Sequence, residues 1–183
     1  MKTKSDVEST YWIGGIHLTV SNCLSQGELD DIGQLRATVY GHEQGASFPN
    51  GRWLDRQDEC ATHWLGRAQE QLVASARVSL HDQPHLVVDM EAVAEQLSGL
   101  LGPIASFNRL VVKHDFRRRG IGRALDELRI AHAKSIGART IVVRAVPLRR
   151  ASLVELGFAE LCIVPTKYPA FGFTHVHIMA MVI

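Results

Sequence analysis

Apolar residues alternate with polar ones in several short stretches of the chain, which is the pattern of half-buried β-strands. In the first stretch the apolar positions are Ile16, Leu18 and Val20. The run Thr140–Val146 is instead rich in β-branched residues, which is typical of a buried strand. The predicted strands lie around 16–20, 61–66, 72–80, 104–113, 140–146, 158–164 and 173–182.

Between these strands the apolar residues recur with a helical period. Leu29, Ile32, Leu35 and Val39 fall on one face after Gly27, as in an amphipathic helix. The other predicted helices cover 90–101, 121 to Gly137, and 149–156. We expect loops at 41–57 and 82–89 and a flexible tail at 1–10. The mixed order of elements indicates one α/β or α+β domain over 11–183 with a single sheet.

Composition and charge narrow the class of protein. The formal net charge is only +1, so no global positive field favours nucleic acid, and no nucleic-acid partner is expected. The N-terminus lacks the apolar stretch of a signal peptide, and no window reaches the roughly 20 apolar residues that span a bilayer. The cysteines Cys23, Cys60 and Cys162 form no CxxC pair, so reduced thiols are expected. These features predict a cytoplasmic protein without a membrane partner.

The segment with the clearest chemistry is 110–125, LVVKHDFRRRGIGRAL. It runs from a strand through a basic glycine turn into a helix. Glycines let the backbone approach a ligand closely, and a helix N-terminus offers unpaired N–H groups with partial positive charge. The arginine side chains add charge-assisted hydrogen bonds. The pattern predicts a site for phosphate oxygens; the alternatives are a solvated basic loop and a nucleic-acid contact, which the near-zero net charge disfavours.

The spacing of this segment resembles the pyrophosphate loop of the GNAT superfamily of N-acetyltransferases. Its R-x-x-G-x-G/A pattern is matched by Arg117, Gly120 and Gly122 after a strand that ends Leu-Val-Val. Downstream, Gly137-Ala138 and the sequence Leu156-Gly157-Phe158 are similar to a later motif of that family. The resemblance covers about residues 12–182. It implies a GNAT-like domain whose twisted, mixed central sheet has six to seven strands flanked by helices.

The same resemblance implies the acyl donor and its binding residues. Acetyl-CoA or another acyl-CoA would enter a gap between two parallel strands near 110–112 and 141–145, and no metal is implied. A backbone N–H at about Leu110–Val112 would bind the thioester carbonyl. The implied cofactor-binding residues are Leu110, Val111, Val112, Arg117, Arg118, Arg119, Gly120, Ile121, Gly122, Arg123 and Ala124.

Upstream motifs resemble one branch of the superfamily, the N-acyl amino acid synthases and, more distantly, the acyl-homoserine lactone synthases. The matching segments are LRATVYGHEQ at 35–44, DECATH at 58–63 and NRLVV at 108–112. Candidate substrate-binding residues are Arg36, Arg77, Asn108 and Arg109. The implied partners are a small-molecule amine or amino-acid acceptor, and the donor stays open between acyl-CoA and acyl carrier protein.

The resemblance implies direct attack of an amine on the thioester, which requires a base. Glu43 is the first candidate, because it matches the family's EQ, and Asp58 and His63 follow. Many relatives carry a tyrosine four residues before the glycine of the L-G-F motif, as an acid for the thiolate. This chain has Leu153 there, so either Tyr40 or Tyr168 substitutes, or no acid is needed.

Alternatives to catalysis also follow from the sequence. The missing tyrosine favours, as a second hypothesis, a module that binds coenzyme A without turnover. His175 and His177 share a strand face, where a structural pair is favoured over a metal site. A homodimer through the C-terminal strands is expected from the family alone.

Overall fold

The computed structural model describes residues 10–22, 24–44, 47–87, 89–166 and 173–183, without the side chains of Thr10 and 42–44. The eight strands of this part are β1 (Thr10–Ile13), β2 (Ile16–Ser21), β3 (Thr62–Ala68), β4 (Gln71–His81), β5 (Ile104–Val112), β6 (Thr140–Ala145), β7 (Ala159–Pro165) and β8 (His175–Val182). The helices are α1 (Gln26–Gln44), α2 (Ala94–Leu97), α3 (Ile121–Ser135) and α4 (Pro147–Glu155), and short 3₁₀ turns lie at 49–51, 56–59, 84–86, 91–93 and 114–116.

All eight strands form one mixed sheet in the order β1-β2-β3-β4-β5-β6-β8-β7. Only the central pair β5–β6 is parallel, and the other pairs are antiparallel. One face is covered by α3 and α4, and the other by α1 and the segment 84–101. The predicted fold is confirmed, with eight strands instead of six or seven.

The additional strand is β1, and the prediction missed it because two strands meet there at a tight glycine turn. Gly14 and Gly15 both have positive φ, 58° and 82°, and let β1 fold back on β2 in register, with Ile13 opposite Ile16. The short strand TYWI shows no clear alternation, so its pairing is decided by β2. The sheet therefore begins at Thr10.

Two predicted boundaries also need correction. α1 continues through residues 41–44, which we expected to be loop. Ser25 and Glu28 start this helix with reciprocal hydrogen bonds, since Ser25 N–H donates to Glu28 Oε2 (2.8 Å) and Glu28 N–H to Ser25 Oγ (3.3 Å), a capping box. The predicted helix 90–101 is only a 3₁₀ turn and one turn of α-helix, because its apolar residues pack flat on the sheet.

The two central strands separate half-way along their length. Parallel pairing of β5 with β6 runs from Ile104–Thr140 to Phe107–Val143 and ends there, although β5 continues to Val112. On its other side β5 carries a bulge against β4, where Arg109 adopts a left-handed φ of 53°. The bulge reverses the alternation of side chains, so Phe107 packs toward α3 and Val111 toward α1. The separation opens a gap in the middle of the sheet.

Candidate active site

A cavity of about 640 Å³ fills the gap between β5 and β6. Its walls come from the end of β5, the loop before α3, the first turns of α3 and α4, and Val39 and Tyr40 of α1. It therefore reaches both faces of the sheet. A cavity of this size and position is suited to an elongated ligand that passes between the strands.

The basic glycine turn forms one wall of the cavity. Gly120 has φ 78° and directly precedes α3, a conformation that glycine adopts at little cost. Since α3 begins at Ile121, the N–H groups of its first residues have no partner within the helix. Gly122 lines the cavity, and a Cβ added there would meet nothing within 4 Å. The backbone thus presents N–H groups and open space to a ligand.

The arginines of this turn are held by backbone carbonyl groups. Arg117 Nε donates to the carbonyl of Val112 (2.9 Å) and Arg119 Nη2 to that of Asp115 (2.7 Å). Arg123 is paired instead with Glu127 and Glu155, at 3.0 and 2.7 Å. The carbonyl oxygen of Asp115 orients the guanidinium of Arg119 without cancelling its charge. This wall is consequently suited to phosphate.

The β1–β2 turn supports the same wall from behind. A Cβ at Gly14 would lie 2.8 Å from the carbonyl oxygen of Arg119 and 3.0 Å from Ile121 Cγ1. The turn therefore packs directly on the start of α3. At Gly15 an added Cβ would meet nothing within 4 Å.

A buried network of ion pairs lies on the α1 side of the gap. Asp58 accepts hydrogen bonds from Arg36 Nη1 and Arg77 Nη1, both at 2.8 Å. Asp55 accepts from Arg77 Nη1 and Arg109 Nη2, both at 2.6 Å. We call Arg36, Arg77, Arg109, Asp55 and Asp58 the five-residue cluster. Asn108 joins it, since its Oδ1 accepts from Arg77 Nε at 2.6 Å.

The loop before β3 places both carboxylates. Asp55 precedes a 3₁₀ turn and accepts from the N–H of Gln57 (2.9 Å), while Asp58 Oδ2 accepts from the N–H of Asp55 (2.9 Å). The guanidinium of Arg109 lies 4.1 Å from the ring centroid of Trp53. These contacts hold the left-handed backbone conformation of Arg109, which costs free energy in any residue other than glycine.

Burial and neighbouring charges shift the pKa values of Arg36, Asp55 and Asp58. Burial lowers the pKa of Arg36 to about 10 although Asp58 opposes the shift. Burial alone would raise the pKa values of Asp55 and Asp58, but the neighbouring arginines outweigh it, so both pKa values lie below the usual range. Arg36, Asp55 and Asp58 therefore stay ionised near neutral pH.

His63 lies beside the cluster and stays neutral. Its Nε2 is 3.1 Å from the carbonyl oxygen of Asp58, and its side chain is fully buried. Burial, followed by the charge of Arg36, lowers its pKa to about 4. Neither His63 nor Asp58 lines the cavity within the described residues, so the geometry gives neither a direct path to a ligand there.

A second charged group lies across the sheet, beneath α4. Asp126 of α3 is paired with both Arg129 and Arg149, the latter at 2.5 Å. Arg129 is fully buried, 4.5 Å from the ring centroid of Phe107, and burial lowers its pKa to about 10. Asp126 and Arg149 line the cavity. We call these three residues the Asp126 triad.

The structure brings most of the predicted site residues together. Asn108 and Arg109 line the cavity, whereas Arg36 and Arg77 lie in the buried cluster beside it. Arg119 and Ala124 are not among the lining residues of the described chain. The predicted cofactor-binding residues that do line it are Leu110, Val111, Val112, Arg117, Arg118, Gly120, Ile121, Gly122 and Arg123.

The remaining predictions concern Glu43, the two candidate tyrosines and the C-terminal histidines. The Glu43 side chain and Tyr168 lie outside the described residues, although the backbone of Glu43 is in the last turn of α1. Tyr40 does line the cavity. His177 Nδ1 is paired with Glu160 Oε2 at 2.6 Å, and in the described part of the chain no three side chains of His, Cys, Asp or Glu gather as metal ligands do.

Asp55, Asp126, Arg129 and Arg149 were missed as candidate residues from the sequence. Asp55 lies in a predicted loop, three residues before Asp58, and this spacing was its only signal. Arg129 and Asp126 lie on the buried side of a helix, three positions apart, a pairing also common on exposed helices. Only folding distinguishes the two cases.

Comparison with known proteins decides the family. The acetyltransferase (GNAT) family matches residues 29–158, well over half of the chain. The chain belongs to the GNAT acetyltransferase family. This confirms the resemblance and the prediction of a GNAT-type acyltransferase. No curated protein matches it in sequence.

Solved GNAT-like structures show the same fold at low identity. ElaA from Escherichia coli is 20% identical, with 91% of this chain and 99% of that chain covered and a TM-score of 0.68. FeeM, an N-acyl amino acid synthase from uncultured soil microbes, is 14% identical over 90% and 91%, with a TM-score of 0.72. The AHL synthase LasI is 13% identical over 94% and 90%, with a TM-score of 0.67.

In this chain Leu153 stands at the position of the L-G-F motif that often carries tyrosine in GNAT proteins. Leu153 is fully buried and packs in the core with Phe158. It is not among the cavity-lining residues of the described chain. No helix of the described residues has the length and apolar character needed to cross a bilayer.

Proposed function

We propose that this GNAT protein transfers an acyl group, most simply acetyl, from acyl-CoA to the amine of a small molecule or amino acid. The observation that carries the proposal is the continuous cavity from the glycine turn to the gap between β5 and β6. Its phosphate-binding end and its open strand edge lie on the same cavity, as a thioester of coenzyme A requires.

The pyrophosphate would lie on the turn formed by Arg117–Ala124. Arg117, Arg118 and the first N–H groups of α3 would bind its oxygens. The pantetheine would then run along β5. We assign the thioester carbonyl to the backbone N–H groups near Leu110–Val112, because strand pairing with β6 ends at Phe107 and leaves the edge of β5 open.

The five-residue cluster would act on the acceptor side. Arg109 and Asn108 line the cavity and are held by Asp55 and Arg77. We assign to these residues the positioning of the acceptor beside the carbonyl. Arg36, Arg77, Asp58 and His63 would keep that wall rigid.

The base that accepts the amine proton must have access to water. Burial and ion pairing make Asp58 and His63 poor proton acceptors. We keep Glu43 as the first candidate, since α1 brings its backbone one turn beyond Tyr40 of the cavity wall.

Thermal unfolding with coenzyme A, acetyl-CoA and a long-chain acyl-CoA tests the donor. At 100 times the dissociation constant, a ligand stabilises the fold by about 2.7 kcal/mol, or roughly 5–10 °C. We expect this shift in the natural chain and not in an Arg117→Ala/Gly120→Ala variant. Lack of a shift with every CoA thioester would refute this donor and direct the search to acyl carrier protein.

Product formation tests the transfer itself. Incubation of the protein with the best donor and a panel of amines and amino acids should give an N-acyl product by mass spectrometry. Binding of acyl-CoA without product from any amine would favour a non-catalytic module that binds coenzyme A.

A further inference from the structure

The start of α4 carries two polar residues on the wall that faces β5 across the cavity. Pro147 begins this helix, and Arg149 and Ser152 then line the cavity. Arg150 does not; it points away and is paired with Glu160 at 2.8 Å. Leu153 is buried in the core, at the position where many relatives carry a tyrosine that acts as a general acid. The charged group that α4 offers the cavity is therefore Arg149.

Arg149 is anchored in a site of net positive charge. Its Nη2 donates to Asp126 Oδ2 at 2.5 Å, and Asp126 also accepts from Arg129. Asp126 and Arg129 have side chains only 2% and 1% exposed, and that of Arg149 is 25% exposed. One carboxylate thus compensates two guanidinium groups. The excess positive charge borders the cavity beside two buried side chains, and near such low-dielectric surroundings an anion is stabilised more strongly than in bulk solvent.

The other charged groups that line the cavity do not provide an alternative at this wall. Arg109 and Arg123 are paired with carboxylates. Arg117 and Arg118 belong to the glycine turn, and Arg144 of β6 projects to the α1 side of the sheet with Val142 and Ile178. Asp126 is the one acidic residue among the described lining residues.

Thioester aminolysis creates an anion on this path. The amine nitrogen forms a C–N bond with the carbonyl carbon, the C–S bond breaks, and its electron pair stays on sulfur as a thiolate; the amine proton leaves to the base. With the pyrophosphate on α3 and the carbonyl on β5, the sulfur passes between β5 and α4. We propose that Arg149, held by Asp126, stabilises the departing thiolate by a charge-assisted hydrogen bond, in place of a tyrosine acid.

This inference rests on the proposed function but has its own readout. The ultraviolet absorbance of a thiolate reports the pKa of the bound coenzyme A thiol. The pH titration of the complex with coenzyme A, minus that with desulfo-coenzyme A, isolates this thiol from Cys23, Cys60 and Cys162. We expect the pKa of the bound thiol to lie about 1–3 units below that of free coenzyme A, as for a group beside an opposite charge.

Variants locate the cause of the shift. Arg149→Gln should return the pKa of the bound thiol to within a few tenths of the free value, and Arg149→Lys should restore much of the shift. The matched control is Arg150→Gln, which removes the adjacent arginine of the same helix and should keep the shift. Arg149→Gln should fold, because Asp126 keeps its pair with Arg129.

Four results would overturn the proposal. The first is an unshifted thiol pKa of coenzyme A bound to the natural chain, and the second is an equal pKa shift in Arg149→Gln. The third is a pKa shift that is lost in Tyr40→Phe and kept in Arg149→Gln. The fourth is loss of coenzyme A binding in Arg149→Gln, which would make Arg149 a general binding residue. Failure of the natural chain to bind coenzyme A in thermal unfolding is a separate result, because it refutes the proposed donor first.

Discussion

Arginines of the glycine turn and arginines of the five-residue cluster differ in the partners that hold them. In the turn, Arg117 and Arg119 donate to carbonyl oxygens of residues four or five positions away. In the cluster, the partners are carboxylates 19 to 54 positions away. The carbonyl partner of Arg119 does not compensate its positive charge, whereas the carboxylates of the cluster neutralise their arginines within the fold.

The difference shows how one cavity separates binding from architecture. In the proposed function the turn binds an anion at the mouth of the cavity, while the cluster holds the bulge of β5 in place. The Asp126 triad combines the two, because one carboxylate compensates two arginines. Each of the following experiments tests one side of this contrast.

The largest effect is expected from Asp58→Ala, which removes the shared partner of Arg36 and Arg77. Arg36 is fully buried, and its Nε and Nη2 already have no partner among the described residues. The free energy of unfolding should fall by about 3–5 kcal/mol, measured by urea denaturation. The control Asp89→Ala removes an exposed partner of Arg109 and should cost less than about 1 kcal/mol. Equal losses of unfolding free energy in the two variants would mean that the buried ion pairs of the cluster stabilise the fold no more than an exposed pair.

Acid should destabilise the fold through His63, which is buried beside the cluster. His63 is neutral in the folded protein, with a pKa of about 4, and takes up a proton near pH 6.5 when unfolded. Stability is therefore lost as the pH falls from about 6.5 to about 4, by about 3 kcal/mol. Urea denaturation at several pH values should show this slope.

His63→Gln identifies the share of that slope which comes from His63. Burial also lowers the pKa values of His81 and His132, so these two act in the same direction and the slope should become shallower, not vanish. Parallel slopes in the natural chain and the variant would contradict the assignment.

A methyl group at Gly14 should damage the turn without touching the cluster. Gly14→Ala would press on the carbonyl of Arg119, so the affinity for coenzyme A should fall about tenfold, or ~1.4 kcal/mol. Isothermal titration measures it. Gly15→Ala is the matched control, since Gly15 also has a positive φ (82°, against 58° at Gly14) but open space around it. An equal loss there would assign the effect to backbone strain alone.

Salt should give the smallest effect and separate the two regions. Raising the ionic strength from about 0.01 to about 0.15 M shortens the Debye length from about 30 to about 8 Å. The dissociation constant for coenzyme A should increase several-fold, because the turn is exposed. The loss of stability in Asp58→Ala should change little, because that ion pair is buried. A salt-independent dissociation constant would argue against electrostatic attraction by the turn.

Local signals in the sequence were sufficient for the turn and most of the elements. The roles proposed for Arg117, Gly120 and Gly122 depend on local backbone conformation and on neighbouring N–H groups, so the spacing of these residues along the chain was enough to predict them as a group. The spacing of apolar residues likewise predicted α3 and the central strands. Burial of one face of a helix or a strand requires apolar residues at the period of that element. The family and the overall fold followed from these local features.

Tertiary structure alone decided the ionic partners and the shape of the cavity. Asp55 meets Arg109 across 54 positions, and no local pattern encodes such a contact, which depends on where β4 and β5 bring their side chains. The pairing of β1 depends on β2, and the role proposed for Arg149 depends on its ion pair with Asp126 of another helix. Sequence determined which residues could bind an anion; packing decided which of them already have a carboxylate.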